Sequence, residues 1–242
     1  MAFPYAPTPG NDGPAGETYA VALVRDGDFA QVTEVLRRLR FTGWAGSPDD
    51  GWLPVVARSG TVAAGRRGIV EVGAELTGDV LVVRVLADRQ LALVAWSAGE
   101  ELGRYVSDPS REPGAEDDVI DDPLGVENAA AFAEVCGHPE HTGELAELLN
   151  DRLDPELVNE SERLAKILRL LGLPTWLVAV ASLPRDIPTG PRARELTRLG
   201  FGLTGVRGKA LDRAVRPVRR RRPPPPVIAD PPSGGGMDPW LL

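Results

Sequence analysis

The chain has 242 residues, 43% apolar and 26% charged, so it can bury a core and has neither a fibrous nor a fully disordered composition. Its net charge of −8 divides into −15 for residues 1–184 and +7 for residues 185–242. No apolar run approaches the roughly 18 residues of a membrane span, no signal peptide is evident, and one cysteine excludes an internal disulfide. We expect a soluble cytoplasmic protein without membrane contact.

The N-terminal part of the sequence predicts a short disordered segment and then a folded domain. Residues 1–16 are rich in Pro, Gly and polar groups and are expected to be disordered. An α+β domain is expected over residues 17–108. Its predicted elements, in chain order, are a strand at 19–24, a helix from 29 with a capping box of Asp28 and Gln31, a loop at 41–50, a strand at 52–58, a helix at 66–77 and strands at 80–86, 91–97 and 100–107.

The connections between these elements predict the sheet type. The last three strands are joined by connections of four and two residues, which are too short for anything but antiparallel pairing. Pro54 would confine the strand over residues 52–58 to a sheet edge. The order β-α-β-α-β-β-β predicts an α+β fold, with an antiparallel sheet and helices on one face. Such a fold hosts binding modules and enzymes alike.

A linker and a helical part are expected next. Residues 109–125 are rich in Pro, Asp and Glu and predict an acidic linker, and residues 126–200 predict a helical region. Leucines at helical spacing are best explained by helix–helix packing. The predicted helices, in chain order, cover residues 127–136, residues 142–153, and a segment that begins at a capping box of Asn159 and Glu162 and is closed by Gly172 and Pro174.

Three residues near position 138 offer the ligand types of a zinc site. Cys136, His138 and His141 lie within six residues, but their spacing matches neither a zinc finger nor an H-E-x-x-H helix. We expect a helix-end turn instead, in which Gly137 caps the helix and Cys136 is a small buried group. A hydrolytic or metal-dependent enzyme that uses this cluster stays an alternative. We otherwise expect no metal, no cofactor and no catalytic residue, since nucleotide-binding loops and a G-x-S-x-G elbow are missing.

Two charged runs are candidates for a functional role. Residues 116–122 are nearly all acidic, but they lack the Asp spacing and central Gly of a calcium loop, so we expect a solvated connector. This run is also a candidate counter-surface for the arginines that follow. The basic run suits phosphates or an acidic protein surface, but it has no interleaved aromatic residues, which favours nonspecific polyanion contact. It comprises Arg213, Arg216, Arg219, Arg220, Arg221 and Arg222.

The last 42 residues predict a basic, Pro/Gly-rich tail that ends in a docking motif. Residues 201–242 contain Pro223–Pro226 and Gly234–Gly236, which favour a solvated tether. A tail that only solvates has no reason to expose the apolar residues that follow, and Trp240 is of the type most often found at binding hot spots. The expected partner-binding residues are Met237, Asp238, Pro239, Trp240, Leu241 and Leu242.

Together these features favour a noncatalytic adaptor that docks a protein partner through its tail. Folding of the tail back onto its own body is the simplest competing hypothesis. The alternatives are the enzyme described above, a regulator that binds nucleic acid through the arginine-rich segment, and an acidic inhibitor of a basic toxin.

Overall fold

The computed structural model describes residues 16–58, 63–64, 67–152, 159–219, 226–229 and 231–233. The N-terminal segment expected to be disordered therefore lies, except for Gly16, outside the described residues. The strands are β1 (Tyr19–Arg25), β2 (Gly43–Ala45), β3 (Trp52–Ala57), β4 (Ala63–Ala64), β5 (Arg67–Gly68), β6 (Val80–Leu86), β7 (Gln90–Ser97), β8 (Glu100–Val106) and β9 (Thr197–Leu199). The α-helices are α1 (Phe29–Arg38), α2 (Ile69–Ala74), α3 (Ala129–Cys136), α4 (Thr142–Asn150), α5 (Glu160–Leu170) and α6 (Gly205–Arg219).

A seven-stranded antiparallel sheet forms the centre of the molecule, and the predicted α+β class is confirmed. The strand order is β8-β7-β6-β1-β3-β2-β9. The predicted meander of β6, β7 and β8 is present, and β6 pairs with β7 from Val80 opposite Trp96 to Leu86 opposite Gln90. The short connections leave these strands no other way to pair.

Helices cover both faces of the sheet. On one face, Ala20, Ala22 and Val24 of β1 pack in a cluster with α1 and α2, which matches the expected one-sided arrangement of these two helices. The alternate residues Tyr19 and Val21 face the opposite way, because side chains alternate along a strand. There they meet α3, α4, α5 and a 3-10 helix over Thr175–Ser182. The helical part is thus packed directly against the sheet.

The sheet differs from the sequence prediction at its β9 edge. The predicted loop at 41–50 contains β2, and residues 197–199, at the end of the region predicted to be helical, form β9. Consequently β3 lies inside the sheet, and the prediction that Pro54 confines it to an edge is wrong. The β2–β3 pairing ends at Ala45 opposite Val55, and the Pro54 carbonyl accepts from the N–H of Gly46, just beyond β2. Proline has no backbone N–H, but at this position the lack of one costs no hydrogen bond within the β2–β3 pairing.

Helix ends show which predicted caps form. Asp28 accepts from the Gln31 backbone N–H, as predicted for the start of α1. Asn159 makes no side-chain cap bond at α5; instead Asp88, from the turn between β6 and β7, accepts from the Ser161 N–H. The expected glycine cap after α3 is present, with Gly137 in the left-handed region at φ 79°. Searched over its described residues, the structure has no helix that is both long and apolar enough to cross a membrane.

Candidate functional site

Helix α6 carries the first part of the predicted basic segment. It is 15 residues long, lies within the segment predicted to be a solvated tether, and contains Arg213, Arg216 and Arg219. Arg207, Lys209 and Arg213 are exposed to solvent. The remaining predicted polyanion-binding residues, Arg220 to Arg222, lie outside the described residues. The structure therefore presents the beginning of this segment as a basic helix.

The buried side chain of Asp212 anchors α6 at the β9 edge of the sheet. Asp212 is 4% exposed and forms ion pairs with Arg58 and with Arg198, which belongs to β9. Gly208 faces the same way, and a side chain there would collide with the carbonyl of Leu203. Because Asp212 is already neutralised by two arginines of the body, it does not offset the positive charge of the exposed side of α6.

The described residues after α6 return to the body. We name residues 226–229 and 231–233 the C-terminal strap. Val227 is 5% exposed and packs, with Ile228 beside it, on the sheet face that α1 and α2 cover. Its N–H donates to Glu112 Oε2 at 2.8 Å, and its carbonyl accepts from Arg104 Nη1 at 2.5 Å. The backbone of Val227 is thus bound on both sides.

The acidic linker supplies the second contact of the strap. The Ile120 N–H donates to the carbonyl of Pro232, and Val119 forms a β-bridge with Ser233. The acidic side chains of residues 116–118 and 121–122 around this contact remain exposed. At residues 119 and 120 the linker therefore holds the strap through its backbone, while the five neighbouring acidic side chains lie at the surface.

A buried ion pair lies beneath the strap. Arg84 of β6 is 1% exposed and donates to Glu112 and, at 3.0 Å, to Gln90 Oε1. Gln90 in turn donates to the Asp108 carbonyl at 2.6 Å. Glu112 thus joins the sheet, the linker and the strap, because one carboxylate oxygen binds Arg84 and the other binds the Val227 N–H.

The strap determines where the predicted docking motif starts. Met237 to Leu242 lie outside the described residues, and their role stays a prediction. Trp240 follows Ser233 by seven residues, and seven extended residues span at most about 25 Å. A free tether from Arg222 would span about 18 residues. Anchoring at the strap therefore restricts the volume that Trp240 can visit.

The candidate zinc ligands of the alternative enzyme hypothesis, Cys136, His138 and His141, do not come together as a set of three. Cys136 lies in the core between the helices and the sheet, and burial raises the pKa of its thiol to about 12. This confirms the expected small buried group and argues against a thiolate nucleophile. His138 and His141 instead lie with Glu140, and ligand atoms of these three residues are within 4.8 Å of one another.

A charged cleft that sequence reasoning missed lies where α5 meets the ends of β7 and β8. Its volume is about 310 Å³, and it is lined by Glu160 and Arg163, both nearly fully buried. Glu160 Oε2 and Arg163 Nε lie 3.5 Å apart, and neither atom has a hydrogen-bond partner among the described residues. Burial raises the pKa of Glu160. The only sequence signal is a polar pair spaced i, i+3 beside the apolar stripe of α5.

Arg163 also connects the cleft to the core. Its Nη1 donates to the hydroxyl of Tyr105 at 2.6 Å, and that hydroxyl donates to the Leu149 carbonyl at 2.7 Å. Burial raises the pKa of Tyr105 well above its ordinary value, so the hydroxyl keeps its proton. Arg163 therefore links the lining of the cleft to buried groups of β8 and α4.

Comparison with known proteins returned no matching family model, no curated relative and no matching solved structure.

Proposed function

We propose that this protein is a noncatalytic adaptor that docks a protein partner through Met237–Leu242, and that the C-terminal strap fixes the point from which this motif leaves the body. The observation that carries the proposal is the burial of Val227, whose N–H and carbonyl are both bound by side chains of the body. A segment that only solvated the chain would not need such an anchor.

Anchoring would favour docking for an entropic reason. A motif on a short tether loses less conformational entropy when it binds. A second contact between the same partner and the body would raise the effective concentration of the motif. Pro239 restricts the backbone of the motif further. The partner expected from this chemistry offers an apolar groove that accepts the indole of Trp240 and the side chains of Leu241 and Leu242.

Helix α6 supports a second, electrostatic contact with the same partner or with a polyanion. Its exposed Arg207, Lys209 and Arg213 extend from a body whose residues 1–184 carry a net charge of −15. Such a surface attracts anionic partners without reading sequence. Changing these three residues to Glu should flatten the dependence of log affinity on log salt for duplex DNA by about 2.7. An unchanged slope would remove this contact from the proposal.

Affinity capture with quantitative mass spectrometry tests the adaptor proposal. The intact chain is compared with Trp240→Ala and with a chain that ends at Gly236. Leu102→Ala serves as the matched control, because Leu102 is an exposed apolar residue of β8, 43% accessible and distant in sequence from the motif. We expect one set of proteins to be lost from both motif variants and kept by the control. Identical sets from all four chains would refute the docking role.

A further inference from the structure

The turn after α3 brings both histidines of the chain to one place. The sequence contains only two histidines; His138 precedes a 3-10 turn over Pro139–His141, and His141 is its last residue. The His138 N–H donates to the Ala133 carbonyl at 2.8 Å, and the His141 N–H donates to the His138 carbonyl at 3.0 Å. The backbone that carries the two imidazoles is therefore held by its own hydrogen bonds.

Three potential ligand atoms converge at this turn. Glu140 Oε1 lies 3.1 Å from His138 Nδ1 and 3.9 Å from His141 Nε2. In a tetrahedral zinc site with bonds of about 2.0–2.2 Å, neighbouring ligand atoms are about 3.3–3.6 Å apart. The two observed separations bracket this value, and each of the three residues offers a ligand atom within 4.8 Å of those of the other two. Small side-chain rotations are enough to close the set around an ion.

Neighbouring residues orient the two rings. Glu144 Oε2 lies 3.8 Å from His141 Nδ1, the nitrogen that does not face Glu140. This separation is that of an ion pair and not of a hydrogen bond, and a small rotation of Glu144 would bring it to the hydrogen-bonded position that a carboxylate usually takes behind a ligating histidine. The Nε2 of His138 lies against Gly172, where even a Cβ atom would approach it to 2.9 Å. These contacts leave His138 Nδ1 and His141 Nε2 as the nitrogens directed toward Glu140.

The cluster is open to solvent. The side chains of His138 and His141 are 38% and 37% exposed, which leaves room for an ion to enter and for a water at a fourth position.

We propose that His138, Glu140 and His141 bind one divalent transition-metal ion of the Zn²⁺, Co²⁺ or Ni²⁺ class, and that Glu144 orients His141. Two imidazoles and one carboxylate suit these ions, whereas Mg²⁺ and Ca²⁺ prefer oxygen ligands alone. Three protein ligands leave the fourth position open to a water or to a ligand from a bound partner. This site does not depend on the docking motif.

Calorimetric titration with ZnCl₂ and proton NMR of the imidazoles test the site. The full chain is used without a polyhistidine tag and is purified without chelators. Because the chain has two histidines, its spectrum contains two sets of imidazole signals. We expect both sets to respond together and to saturate at one equivalent of Zn²⁺, and an excess of Mg²⁺ to leave them unchanged.

Variants separate the roles of the residues. His138→Ala, Glu140→Gln and His141→Ala should each weaken Zn²⁺ binding more than tenfold, and Glu144→Gln should weaken it about tenfold through the orientation of His141. Glu134→Gln, which changes an exposed carboxylate of α3 outside the cluster, is the matched control and should bind like the wild type. Circular dichroism of each variant checks the fold. Equal affinity of Glu140→Gln and wild type, or a response of only one imidazole, would overturn the proposal.

Discussion

Changing Glu112 to Gln should destabilise the whole molecule, because Arg84 depends on this carboxylate. Both residues are buried, with Arg84 only 1% exposed. Gln can still accept the Val227 N–H, so the change chiefly removes the countercharge of the guanidinium. Breaking a buried ion pair by neutralising one partner costs about 3–5 kcal/mol. For a chain of this length, that loss lowers Tm by about 6–20 °C.

Thermal and urea unfolding of a double-mutant cycle measure this cost. Arg84→Met with Glu112→Gln removes both charges and keeps an acceptor for Val227, so the double variant should recover most of the stability that Glu112→Gln loses. Hydrogen exchange of the strap peptide, measured in the same samples, should rise in Glu112→Gln. A free energy of unfolding within about 1 kcal/mol of wild type for the single variant would refute the reasoning.

The remaining predictions concern the strap and the charged cleft. Val227→Asp would bury a carboxylate beside Glu112. Amide hydrogen exchange in the strap should rise while Tm changes little, since the strap can detach without unfolding the sheet. A uniform rise of exchange across the sheet would contradict this. Because burial raises the pKa of Glu160, the folded state holds its proton more tightly, and wild-type stability should fall relative to Glu160→Gln as pH rises above about 4.3. A constant difference between pH 4 and pH 7 would contradict this sign. Tyr105→Phe removes a donor to Leu149 and an acceptor for Arg163 and should cost about 1–3 kcal/mol in urea unfolding; no loss would show that water replaces the hydroxyl.

The parts of the fold that the sequence predicted are those specified locally. The β6–β7–β8 meander follows from connections of four and two residues, and α1 begins at Asp28 because the cap needs only the next turn. β2 and β9 were missed because each has three residues, too few to show alternation. They pair across more than 150 residues of sequence, which no local pattern reveals.

The candidate sites show the same difference between features specified locally and contacts between residues far apart in sequence. Gly137 predicted the turn that carries the two histidines. The third member of the cluster is nevertheless Glu140 and not Cys136, because the last turn of α3 directs the thiol into the core. The strap could not be foreseen, since Glu112 and Arg104 bind it from more than 110 residues away. The prolines of the strap indicate a polyproline-like backbone, but they do not indicate which surface of the body the strap packs against.

The exposure of Trp240 tests the docking role most directly. In ¹⁵N-labelled full chain, its indole N–H signal is identified by comparison with Trp240→Phe, and its exchange with water is measured beside that of the Val227 amide. A docking motif presented from an anchored strap predicts fast indole exchange together with a protected Val227 amide. An indole as protected as those of the buried Trp44 and Trp52 would show that the motif is packed against its own body and would contradict the adaptor proposal.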